Sequence, residues 1–209
     1  LKVLTRAYAN TLREFMSSDC AVLRLLPISG GIFAGSFGDE MPVLTKEALA
    51  AAFLSLLAPE QALLRLLEID LCIFMGKEMP AWEAAGWKCN MDSLAAASPA
   101  RSAVGVEFVR SVQLRPFGVL GAGLTADKQP HNDGPDPTEM PSVCICDPAG
   151  LHHIQPPGGP KGAGGAAGAI YKWLGIDRDE KFTDDVIAAV TEPGDAKYHM
   201  YVKQVKGKD

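Results

Sequence analysis

The chain has 209 residues, 47% of them apolar and 22% charged, which is the composition of a folded domain with a substantial core and excludes global disorder. Its formal charge of −5 provides no bulk positive field for non-specific nucleic-acid binding, and no apolar run approaches the roughly 20 residues of a membrane span. The first residues, from Leu1 to Arg6, hold neither an initiator Met nor an apolar signal core, as an excised segment would read. Five cysteines, an odd number set mostly in apolar runs, point to a reducing, intracellular compartment, cytoplasmic or nuclear.

In chain order, residues 1–18 carry Leu1, Leu4, Tyr8, Leu12 and Phe15 at helical spacing, and Ser17, Ser18 and Asp19 end the helix. Residues 21–28 read as a strand, and residues 29–38 as a flexible glycine-rich run. Thr45 is expected to cap a helix reaching Leu57, and Pro59 to open a short one reaching Leu67. Residues 69–75 form a continuous apolar run, the pattern of a strand buried on both faces. Residues 80–99 hold a helical turn or more, and residues 103–120 read as extended. Two glycine- and proline-rich loops, 121–141 and 150–165, flank a short buried strand at 143–146. A helix is predicted over 166–174, another capped by Thr183, and a last strand over 198–205. Helices alternating with buried strands predict an α/β class, a three-layer α/β/α sandwich around a mixed, largely parallel sheet. In such sheets ligands bind at the carboxyl ends of strands, where the glycine loops after Ile28 and Cys146 begin.

Each candidate motif has a bland reading beside the functional one. The loop of residues 157–168 brings Gly164, Gly165, Ala166 and Gly168 to a helix start. Backbone N–H groups without side chains in front of them suit an anion such as a pyrophosphate. The bland reading is a mobile surface loop. Ser29, Gly30, Gly31 and Ile32, followed by Phe33, can wrap a second phosphate face and cover a sugar, or form a plain turn with one core aromatic. Gly121, Gly123 and Ala126 match the dinucleotide fingerprint, but no helix follows them. Cys144, Cys146, Asp147, His152 and His153 fit no common zinc spacing, and the cysteines are read as buried apolar residues, so no metal and no cofactor is expected. No nucleophile elbow supports a Ser-His-Asp triad. Trp82, Trp87 and Trp173 are read as packing, with Trp82 or Trp87 as a cover for a base-binding cleft the alternative.

Taken together, residues 143–150 with 164–171, then 191–200, then 25–33, then 69–75 resemble successive blocks of the macro domain, the family that binds ADP-ribose. The order is rotated. Residues 1–80 resemble the family's C-terminal half and residues 143–209 its N-terminal half, with 81–142 a loop-rich insertion in a single domain. A circular permutation accounts for this order, and a fragment of two tandem domains is the competing account. The resemblance implies that Gly164, Gly165, Ala166 and Gly168 cradle the diphosphate and pack against the distal ribose. It implies that Ser29, Gly30, Gly31 and Ile32 wrap the diphosphate's other side, and that Phe33 lies against the distal ribose. The partner it implies is ADP-ribose or an ADP-ribosylated protein. The chain departs from the family in three places: no acid stands in residues 121–125 for adenine, Ala167 stands where hydrolytic members often carry an acid, and no paired glutamates follow the glycines. Hydrolysis would need a base, for which Asp147, His152 and His153 are the candidates. Loss of the adenine acid also leaves open a macro-like scaffold for protein partners.

Overall fold

A computed structural model describes residues 1–28, 31–73, 78–87, 108, 111–116 and 143–201; for residues 31–35, 115 and 116 it describes the backbone alone. In chain order the elements are α1 (Lys2–Met16), β1 (Val22–Leu25), a 3-10 helix (Gly31–Glu40), α2 (Met41–Leu54), α3 (Ala58–Leu64), β2 (Glu68–Ile73), α4 (Met79–Ala84), β3 (Gln113–Pro116), β4 (Val143–Cys146), α5 (Leu151–Ile154), α6 (Gly165–Leu174) and α7 (Asp184–Ala189). The protein is of the α/β class. Its described strands form one sheet in the order β3-β2-β1-β4, and every pairing is parallel; the sheet shows no antiparallel member among the described residues.

A parallel sheet has to be covered on both faces, because its connections are crossovers that lay helices on the sheet. Alternation along the strands supplies both sets of contacts. Leu23 and Leu25 of β1, Ile69, Leu71 and Ile73 of β2, and Leu114 of β3 join a core with Tyr8, Leu12 and Phe15 of α1 and Leu49 and Phe53 of α2. Residues of opposite parity, Leu26, Cys72 and Ile145, join a second core with Ile170 and Tyr171 of α6, Phe182, and Val186 of α7. Arg24 of β1 and Asp70 of β2, of the same parity as Leu26 and Cys72, stand opposite each other and form an ion pair of 3.9 Å with little exposure.

Helix α1 follows the predicted stripe, except that Leu1 is exposed, since it precedes the first turn. Its end is fixed locally: the Ser17 and Ser18 hydroxyls donate to the carbonyls of Glu14 and Phe15, competing with helical continuation. Helix α2 begins at Met41, earlier than the predicted cap. Pro42 fits the first turn, and Thr45 lies one turn inside the helix and fully buried. Helix α3 stops at Leu64 rather than Leu67, and its Glu60 carboxylate accepts from the Leu57 amide at 2.6 Å. The run predicted to be flexible is a 3-10 helix from Gly31, with Ser29 and Gly30 outside the described residues. Only Gln113–Pro116 of the extended prediction is strand. Phe108 is helical, stacked on Phe53 at 4.1 Å, because its ring completes the first core. Residues 198–201 are not strand either: the Tyr198 amide donates to the Glu14 carboxylate at 2.7 Å, a side-chain bond in place of a ladder bond. Residues 202–205 lie outside the described residues, as do Gly121, Gly123 and Ala126.

The segment ending at Tyr201 is strapped along α1. Arg6 pairs with Glu192 at 2.9 Å and Asp195 at 2.6 Å, Asn10 donates to the Gly194 carbonyl, and Lys197 lies 3.4 Å from Glu14. Arg6, Asn10 and Glu14 are each one turn apart, so one edge of α1 holds the whole strap.

Candidate functional site

The strand order reverses direction between β1 and β4. From β1 the chain crosses to β2 and on to β3 on one side; β4 lies on the other side of β1. Open parallel sheets take their ligands at such a reversal, which here lies at the carboxyl ends of β1 and β4. The register makes the two exits close neighbours. Leu25 stands opposite Cys146, so Leu26 and Asp147 are the next residues out on adjacent strands. The first exit is anchored from below, since the Ile28 amide donates to the Tyr8 hydroxyl of α1 at 3.3 Å. Beyond it Gly31, Ile32 and Phe33 form the first turn of the 3-10 helix; their side chains, like Ser29 and Gly30, are outside the description.

The second exit leads through α5 to the glycine loop in front of α6. Here the glycines divide into two kinds. Gly162 and Gly165 have φ of +80° and +58°, a left-handed backbone that strains an L side chain. A Cβ added to Gly162, Gly164 or Gly165 would meet nothing within 4 Å, so this stretch borders open space. Gly164 is the N-cap of α6 and brings no side chain to its free amides, which leaves them and the positive end of the helix for an outside acceptor. Gly158, Gly159 and Gly168 are glycine for a different reason. A Cβ there would overlap the backbone of His152, Glu180 and Ala163 respectively. Gly168 thus serves close packing of α6 on its own entry loop, while Gly164 and Gly165 border the opening and the first-turn Ala166 packs against the second core. Lys161 is turned away toward Glu180, with which it pairs.

Asp147 is the first residue beyond β4. Its carboxylate accepts a hydrogen bond from the Tyr171 hydroxyl of α6. Burial pushes its pKa up to about 6, and the Tyr171 donation acts in the opposite direction. Burial and the Asp147 charge hold the Tyr171 phenol far above the usual range. The ring is fixed edge-on against Phe182 at 5.4 Å and is 4% exposed, so its hydroxyl has a defined place. His152 is not brought into this pair. It sits exposed on α5 with its ring 4.0 Å from that of His153, and no hydrogen bond joins it to Asp147 among the described residues.

The cysteines of β4 face the first core, on the other side of the sheet from Tyr171. Burial raises both thiols to about 12. Among the described residues no group of three or more His, Cys, Asp or Glu could hold a metal ion. Trp82 and Trp87 are buried edge to face at 5.7 Å, and Trp87 donates to the Pro42 carbonyl at 2.9 Å, which is a packing role. Trp173 is partly buried against the second core. A surface cavity of about 490 Å³ runs beside α1, lined by Lys2, Arg6, Asn10, Arg13 and Ser55 among others; none of its lining residues belongs to either strand exit. No helix among the described residues is long and apolar enough to cross a membrane.

Two site residues escape a reading of the sequence alone. Tyr171 is hidden as one apolar-face residue of α6, and only its i+24 partner Asp147 gives it meaning. Gly162 precedes the helix by three residues, and its left-handed backbone carries no pattern of its own. No family model, no curated protein and no solved structure matches this chain.

Proposed function

We propose that the protein binds ADP-ribose or a related nucleoside diphosphate at the adjacent ends of β1 and β4, as a circularly permuted macro-like domain. The observation that carries this reading is the parallel register of β1 with β4, which sets the two glycine-bearing exits side by side although they are far apart in sequence. The side-chain-free opening at Gly162, Gly164 and Gly165 in front of α6 supports an anion there, and the backbone of Gly31 to Phe33 supplies amides from the other exit. By the resemblance, Ser29, Gly30, Gly31 and Ile32 wrap the diphosphate and Phe33 covers the distal ribose. The segments similar to the family's two halves, 1–80 and 143–209, meet at that same pairing. The ligand in this reading arrives free or attached to a modified protein.

Calorimetric titration with ADP-ribose tests the reading, with ADP and NAD as controls. Micromolar binding preferring ADP-ribose is expected. Absence of binding to all three overturns the reading in favour of another anionic ligand or a scaffold for protein partners.

One observation favours a second reading, hydrolysis of ADP-ribose linkages. A carboxyl group with a pKa near 6 beside the strand exits suits a general base near neutral pH. In that reading Asp147→Ala abolishes turnover and leaves affinity within about tenfold, because binding rests on backbone amides. Turnover surviving in that variant removes Asp147 from the chemistry.

A further inference from the structure

Asp147 and Tyr171 make a unit that simple diphosphate binding does not require. A carboxyl group stands one residue beyond β4, next to the β1 exit, and is tied through the Tyr171 hydroxyl to the helix whose N-terminal amides have no side-chain cap. Its described partner is a neutral hydroxyl, and no cationic side chain among the described residues pairs with it. A diphosphate in the opening would bring negative charge toward a second negative group in a partly buried setting, where Coulomb repulsion is poorly screened.

Resting on the reading just given, we infer that the Asp147 carboxyl, held in place by the Tyr171 hydroxyl, takes up a proton from solvent when an anionic diphosphate occupies the opening, so that binding at this site is proton-linked. Tyr171 is the positioning residue of the pair. The groups acting on Asp147 are few. Tyr171 faces it from α6, the Cys146 thiol precedes it on β4, and Tyr201 of the C-terminal strap acts on Tyr171. Leu26, its neighbour at the β1 exit, carries no charge. The unliganded carboxyl, with its pKa at about 6, is mostly ionised at pH 7 and protonates at modest cost.

Calorimetry of the full chain at pH 7, in buffers of small and large ionisation enthalpy, reads the proton count directly. With ADP-ribose, uptake of roughly 0.5–1 proton per ligand is expected, with affinity falling by up to about tenfold per pH unit above pH 6. Asp147→Asn is expected to lose the uptake and the pH dependence together. Tyr171→Phe keeps the ring against Phe182 and removes only the donor that holds the carboxyl pKa down. It should move the uptake maximum to higher pH. If Tyr171 only packs, that variant melts earlier and its uptake curve stays where it was.

Inorganic pyrophosphate in the same experiment separates the two claims. ADP-ribose binding without uptake, or with uptake unchanged in Asp147→Asn, overturns the proton link and leaves the binding reading standing. Pyrophosphate binding with Asp147-dependent uptake, and no preference for ADP-ribose, upholds the link and overturns the ADP-ribose reading. Failure of both ligands to bind overturns both. Should Asp147→Asn not fold, Tyr171→Phe decides alone: an unmoved uptake maximum overturns the inference.

Discussion

Asp147 shows how one residue can work against the fold that holds it. Its folded pKa of about 6 lies above the ordinary aspartate value of 3.8 because burial disfavours its charged form. The folded state therefore binds this proton more tightly than the unfolded chain does. The corresponding stability is fully present below pH 3.8 and is lost as pH rises through about 6. Asp147→Asn carries no such charge, so the variant should gain on the parent as pH increases. Urea titrations at pH 4 and pH 8 should show a swing of roughly 2–3 kcal/mol in the difference between the two proteins. A difference that stays flat with pH would place the carboxyl in water. Asp195 behaves oppositely: the Glu192 and Thr191 amides, followed by the Arg6 charge, lower its pKa, so what it contributes is present above the usual aspartate range and fades on acidification. Asp195→Ala should release the strap, read as faster proteolysis between residues 191 and 201 with α1 still folded.

Among the elements, α6 and its entry loop bind two glycine requirements into ten residues. Gly165 needs its conformation and borders open space; Gly168 needs its smallness. Gly165→Ala should cost about 1–2 kcal/mol, the strain of a left-handed L residue, and should weaken ligand binding by putting a methyl group at the opening. Gly168→Ala should cost more, because the methyl group overlaps the Ala163 backbone and α6 must shift as a body. Thermal melts of the two variants check the order; a reversed order would mean that the loop yields. The same helix marks the limit of what sequence reasoning reaches. Its limits were legible to within a residue, 166–174 against Gly165–Leu174, because the helix begins directly after the glycines; Gly175 ends it with φ of +81°. The division of labour between Gly165 and Gly168 was not, since it depends on where the Ala163 carbonyl lies. Helix α5 was missed because four residues with two histidines hold no helical period. Residues 198–201 looked like a strand because their alternation is real, yet the Tyr198 amide found Glu14 first.

At the scale of the molecule, the α/β class could be read from alternating buried strands and amphipathic helices, whereas the strand order could not, because nothing local tells Val143 to lie beside Val22. Within the sheet, the Arg24–Asp70 pair ties β1 to β2 where a parallel interior is otherwise apolar. Asp70 is almost fully buried, so Asp70→Ala should cost more by denaturant titration than loss of an exposed pair such as Lys181 with Asp184, which is worth up to about 1 kcal/mol. A loss below about 1 kcal/mol would mean that Arg24 is solvated elsewhere.

The pairing of β1 with β4 also sets a schedule for the ribosome. Roughly 120 residues of chain separate the paired strands, so the last seam of the sheet closes late and its rate carries a long loop-closure cost. Until residue 146 has left the exit tunnel, one flank of β1 has no β4 to cover it, and the amides at both exits have not yet met. The nascent chain is then blind to its ligand and open to intrusion by other extended segments. A synthesis pause near residue 120 would lengthen that exposure, while one after residue 175 would fall when the seam can already form.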